Sequence, residues 1–151
     1  MFRRKRKKGQ ALVEMAMVFP FFLLIVVGGL IDFGFAFFNY LTLQQIANDV
    51  AQWAAESNGN LGQPESSIGP YAFSQKPSWW TGNFTVHPPQ VVQVSNNENV
   101  IRVSMSYDSP TYTPFYQIIF KAGSGSTSIK LSTTAAYKVP TVVFTRGVTV
   151  P

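Results

Sequence analysis

Residues 3–37 read RRKRKKGQALVEMAMVFPFFLLIVVGGLIDFGFAF. Met15 to Ile31 is a run of 17 residues without a charge, and between Ala11 and Phe38 only Glu14 and Asp32 are ionisable. As a helix the longer stretch would measure roughly 42 Å, more than the roughly 30 Å of a bilayer's hydrocarbon core. The segment is therefore expected to enter membrane lipid. Six basic side chains, Arg3 to Lys8, precede it and none lies within it. By the positive-inside rule the N-terminus then stays in the cytoplasm and the remainder of the chain lies outside. Removal of the whole segment as a secretory signal is not expected. Its apolar run exceeds an ordinary h-region, and no A-x-A-like site follows Ile31, where the chain reads DFGFAFFNY.

The location of the charge excludes one function class. The chain has 151 residues, the length of about one modest domain, and a formal net charge of +5. Half of its twelve basic residues lie in the run from Arg3 to Lys8, so from Gln10 onward the charge is about −1. A nucleic-acid partner would need its basic patch on the folded body, and none is there. The absence of cysteine removes disulfides, thiolate metal sites and thiol nucleophiles.

Beyond the apolar run the pattern stays helical but narrows to one face. In NYLTLQQIANDVAQWAAESNGN, Leu43, Ile46, Ala47, Val50, Trp53 and Ala54 recur three and four apart among polar residues. Ser57-Asn58-Gly59-Asn60 is the expected stop. One helix from near Ala11 to near Asn58 is predicted, apolar all round in its first half and striped in its second. Within it, Pro20 removes a backbone hydrogen bond, while Gly28-Gly29 permits close approach of a neighbouring helix. Both residue types are also simply commoner in membrane helices than in soluble ones.

Residues 59–82, rich in proline, glycine and serine, read as a loop with short structured pieces. The period then changes. NFTVHPPQVVQVS and NVIRVSMSY predict a hairpin about the turn-forming SNNEN, with Ile101, Val103, Met105 and Tyr107 on one face. Pro114 to Phe120 predicts a short apolar helix or strand, and TSIKLSTTAAYKVP a strand that shows Ile129, Leu131, Thr133, Ala135 and Tyr137 to one side. TVVFTRGVTV could add another strand. The fold class is α+β, a long amino-terminal helix whose outer half packs on a small antiparallel sheet.

Lys8-Gly9-Gln10-Ala11-Leu12-Val13-Glu14 before an apolar run resembles the class III signal of type IV prepilins: a basic leader, a glycine, and a glutamate five positions past it. Over roughly residues 9–55 the chain resembles the TadE-like pseudopilins of Flp/Tad pilus systems, through Gly9, Glu14, Pro20, Asp32 with Gly34 in IDFG, and the aromatic and small residues up to Tyr40. That resemblance implies cleavage between Gly9 and Gln10 by a prepilin peptidase, and glycine lets the backbone extend into such a site. It further implies that Glu14 pairs with the new N-terminal amine of a neighbouring subunit, that Pro20 and Asp32 belong to the assembly helix, and that the partners are other pilin subunits and an inner-membrane assembly platform. The implied division is 1–9 leader, 10–58 membrane and assembly helix, 59–82 loop, and 83–151 extracytoplasmic β-rich domain.

The physics of Glu14 agrees, since a lone carboxylate in an apolar bundle is costly and a cationic partner offsets much of the cost. A headgroup-depth glutamate held by water and Lys7 or Lys8 is the plainer alternative. Asp32 fits either an interfacial position or a buried pair. The remaining candidates lack the spacing that chemistry needs. His87, the only histidine, is followed by two prolines; the carboxylates after Asp32 are scattered; NNEN and Asp108 suit a turn better than a calcium loop. No enzyme and no cofactor is expected. The competing reading is an uncleaved single-span protein whose exported domain binds a ligand or an envelope partner.

Overall fold

A computed structural model describes residues 5–57, 67–95 and 98–139. Its elements are α1 (Lys5–Ser57), α2 (Ile68–Ser74), β1 (Phe84–Val86), β2 (Gln90–Ser95), β3 (Glu98–Pro110), α3 (Pro114–Ser124) and β4 (Ser128–Lys138). The class is α+β, as the periodicities predict. Contacts divide the chain into two units, Met1–Phe37 with Pro110–Ile129, and Phe38–Ser109 with Lys130–Pro151.

Within the described residues helix α1 runs from Lys5, earlier than the expected Ala11, so Lys5 to Lys8 continue the helix instead of preceding it. Lysine and arginine are good helix formers and nothing in KRKKGQ breaks the pattern except one tolerable glycine. Pro20 lies inside α1, in a segment whose exposed apolar side chains leave the backbone only internal partners.

The second unit holds the core. Leu43, Ile46, Ala47, Val50, Ala51, Ala54 and Ala55 of α1 are buried against Ile101, Val103, Met105 and Tyr107 of β3. The alternating face of β3 is therefore the one the sequence marks, while Arg102 between its apolar neighbours is exposed. Four of the seven helix residues are alanine, which leaves room for the larger strand side chains. Trp53, expected on the same stripe, is half-buried and stacks on Tyr71 of α2 at 4.3 Å. Trp80 stacks on Tyr107 with centroids 4.1 Å apart, and Phe84 tilts against Trp80 at 5.5 Å. Trp80 and Tyr107 are core; Trp79 is exposed.

One polar network enters this core. The Trp80 indole Nε1–H donates to Asn39 Oδ1 and Asn39 Nδ2 donates to Ser109 Oγ, both at 3.0 Å. All its polar atoms find partners, the condition under which burying them is tolerable.

The expected hairpin is present, with a modification. β2 and β3 pair antiparallel from Gln90↔Arg102 to Ser95↔Glu98, but β1 also pairs with β3, from Phe84↔Tyr107 to Val86↔Met105. Three residues lie between Val86 and Gln90 while two lie between Arg102 and Met105, so one residue is extra where His87-Pro88-Pro89 intervenes. The two prolines lack N–H donors and split one long strand into two successive segments along β3. β4 pairs with β3 as well. Ser104 and Thr134 share a hydroxyl bond of 2.9 Å, and Val139 N donates to Asn99 O at 2.8 Å, an antiparallel arrangement. The strand suggested by TVVFTRGVTV and the turn residues Asn96 and Asn97 lie outside the described residues, as do Asn58 of the predicted helix and 59–66 of the predicted loop; the loop's later part contains α2.

Candidate assembly helix

Along α1 from Gly9 to Phe37 the side chains look outward. Leu12 is 71 % exposed, Phe21 73 % and Leu30 77 %. Only Gly28, Gly29, Asp32 and Ala36 are buried in this stretch, and 28, 32 and 36 fall four apart on one stripe. Among the described residues nothing covers this apolar surface, and by length and composition α1 is sufficient to cross a membrane.

Glu14 is on that outward surface. Its carboxylate accepts a hydrogen bond of 3.3 Å from Gln10 Nε2, one turn earlier, and both residues are exposed. Gly9 is helical, and a β-carbon placed there would meet nothing within 4 Å. A glycine inside a helix costs about 1 kcal/mol relative to alanine.

The buried stripe faces α3 of the same unit. A β-carbon on Gly28 would lie 3.5 Å from Thr113 Oγ1, and one on Gly29 only 2.6 Å from the Tyr116 hydroxyl. The close approach that the glycine pair permits is used by the chain's own α3. Tyr116 OH donates to the Ile25 carbonyl at 3.2 Å, and Phe33 meets Tyr116 and Phe120 edge-on at 5.8 and 6.4 Å.

Asp32 is 1 % exposed. The structure partners it with backbone and hydroxyl groups, where the sequence left open an interfacial position or a charge pair. Tyr112 N donates to Oδ1 at 2.7 Å, Thr113 N donates to Oδ1 and Oδ2 at 3.1 and 3.3 Å, and the Thr113 hydroxyl donates to Oδ2. These groups immediately precede α3. Thr113 is its extended N-cap residue, its side chain makes no cap bond, and Pro114 opens the helix with no N–H to satisfy. The first turn of α3 contains no acidic residue, so Asp32 brings from another element the negative charge that a helix N-terminus favours. The local signal in the sequence is Thr-Tyr-Thr-Pro: two residues before a helix-opening proline whose N–H groups need an acceptor.

The other candidates keep to ordinary roles. The His87 side chain is exposed and its backbone N–H donates to Ser104 O at 2.9 Å, extending the β-ladder. Among the described residues no group of three His, Asp or Glu is placed to hold a metal ion.

Residues 9–52 match the family described as TadE-like protein. The match begins at Gly9 and covers most of α1, leaving the sheet and α3 unmatched. Neither a curated protein nor a solved structure gives a significant match to the chain. The family is pilus-related and structural, which points to a Tad pilus-associated protein anchored in a membrane by its apolar helix.

Proposed function

We propose that this chain, TadE-like from Gly9 to Gln52, is a minor pilin or pseudopilin of a Flp/Tad-type pilus that serves surface attachment. It is inserted in the inner membrane with its N-terminus in the cytoplasm, cut between Gly9 and Gln10 by a prepilin peptidase, and passed by the assembly platform into contact with other pilin subunits. The observation that carries the reading is the outward-facing apolar length of α1 with Glu14 on it, bonded only to Gln10 among the described residues. A neighbouring helix would cover the first and the amine of a cut N-terminus would neutralise the second.

The decisive experiment is N-terminal sequencing of the full-length protein extracted from membranes of cells with and without the prepilin peptidase. A chain starting at Gln10 only when the peptidase is present is the expected result, and Gly9→Leu should accumulate uncut. Retention of residues 1–9 in both strains would overturn the proposal. It would favour the uncleaved single-span reading.

Glu14→Ala tests the assembly role separately. Insertion and cleavage are expected to continue, while the amount recovered in pilus complexes drops about tenfold or more, the equivalent of roughly 1.4 kcal/mol at each subunit contact. Normal recovery would mean that the carboxylate merely sits among lipid headgroups.

A further inference from the structure

We propose that α3 is a second membrane-contacting element, an interfacial helix that lies in the outer leaflet beside α1 and presents its free apolar face to lipid. The argument starts from depth. Glu14 and Asp32 bound the uncharged stretch of α1, and the eighteen helical steps from one to the other span about 27 Å, close to the roughly 30 Å of a hydrocarbon core. Asp32 therefore marks one boundary when α1 is seated in a bilayer. The recorded contacts of α3 and the two residues before it fall on Ile25, Gly28, Gly29, Asp32, Phe33 and Phe35. These levels straddle that boundary and reach about 10 Å inward from it at Ile25. An interfacial helix sits at this depth, with its apolar side about 5–10 Å into the headgroup and acyl boundary.

The composition of α3 suits that place. PFYQIIFKAGS has no acidic residue and one basic residue, Lys121. Tyr116 and Phe120 turn toward α1, yet Ile118 is 70 % and Ile119 47 % exposed, and no residue of α3 is buried. A helix apolar on both its packed and its free side belongs in a core or in lipid, and this one has no core. Ile118 and Ile119 belong to the same unit as the exposed apolar length of α1, and the Tyr116 and Phe120 contacts hold their helix at its depth, which is what gives the face its occupant: lipid that surrounds α1 at this level also meets α3 beside it. Polar groups at this level are accounted for. Gln117 Nε2 donates to Thr111 O at 2.8 Å, the Tyr116 hydroxyl to Ile25 O, and the Lys121 ammonium can reach headgroups on its long stem. Gly125 then ends the helix with φ 72° and the chain leaves through a Gly/Ser stretch. This inference needs only that α1 be seated in a bilayer, and it stands whether or not the leader is removed.

The chain has no cysteine, so single introduced thiols report cleanly. Full-length Ile118→Cys, Ile119→Cys and, as reference, Ser132→Cys on the exposed side of β4 would be reconstituted into phosphatidylcholine–phosphatidylglycerol vesicles and treated with a membrane-impermeant maleimide. Both α3 sites are expected to react about tenfold more slowly than Ser132→Cys. An environment-sensitive fluorophore on either should be quenched by nitroxides carried near the top of lipid acyl chains. Reaction at the reference rate at both sites overturns the proposal. Protection that vanishes when the protein is diluted in lipid also overturns it, because the cover would then be another copy of the chain.

Discussion

Asp32→Ala is expected to free α3 from α1. The carboxylate receives the N–H groups of Tyr112 and Thr113 and the Thr113 hydroxyl in a part-buried site, and alanine leaves all three without an acceptor. An unsatisfied donor of this kind costs about 1–3 kcal/mol, so a loss of about 3 kcal/mol for the cluster is a conservative figure. Hydrogen–deuterium exchange over residues 110–124 of the full-length protein in nanodiscs should then accelerate roughly a hundredfold, because local opening sets the rate. Asp32→Asn separates charge from geometry. The amide oxygen can still accept from both N–H groups while the hydroxyl turns to accept from the amide nitrogen, so acceleration nearer tenfold is expected, the loss of charge-assisted bonding alone. Unchanged exchange in Asp32→Ala would mean that other contacts hold α3.

Gly82→Ala is expected to be more damaging and to act in the second unit. A β-carbon at Gly82 would overlap the carbonyl oxygen of Asp108 and come within 2.9 Å of its carbon and 3.2 Å of the Tyr107 ring. The obstacle is backbone and cannot swing aside. Asp108 N donates to Asn83 O at 2.9 Å, the Tyr107 hydroxyl takes the Gly82 N–H at 3.3 Å, and the β1–β3 ladder starts at the next pair, Phe84↔Tyr107. Relief requires breaking that ladder, which puts the cost at about 4 kcal/mol or more, a large share of the stability of a small domain. The Trp80–Tyr107 stack supplies the readout through tryptophan fluorescence on heating. Gly69→Ala is the control, since a β-carbon there meets nothing within 4 Å and alanine suits the helix it lies in. Equal melting of the two variants would contradict the packing at Gly82.

What the sequence made legible is what depends on neighbours along the chain. The stripe Leu43, Ile46, Ala47, Val50 and Ala54 is a period-3.6 signal and proves to be the buried face of α1; Ile101 to Tyr107 is a period-2 signal and proves to be the buried face of β3. Pro114 marks the start of α3 because its ring has the right φ and no N–H to lose. The sequence was silent where partners lie far apart in the chain. Asp32 meets Tyr112 and Thr113 across 80 and 81 positions, and no periodicity links an acid in an apolar run to two backbone donors in a loop. Gly28-Gly29 announced a close approach without saying what approaches. The diproline was visible as a breaker, but that β1 and β2 both follow β3 depends on a one-residue offset that only pairing reveals. Lys5 to Lys8 are helical although the helix was expected from Ala11, because a basic run was read by its charge when helix propensity governed its backbone.

The 80-residue separation between Asp32 and its first donor also sets a clock. At synthesis rates of about 5–20 residues per second, roughly 4–16 s pass between the emergence of Asp32 from the ribosome and that of Tyr112. For that interval the carboxylate has no partner of its own chain and must be hydrated. In the proposed membrane orientation, that hydration would hold it at the water-facing end of the apolar segment and oppose deeper entry of the helix. Insertion depth would then be set by an acid whose permanent acceptor role begins only after most of the protein has been made.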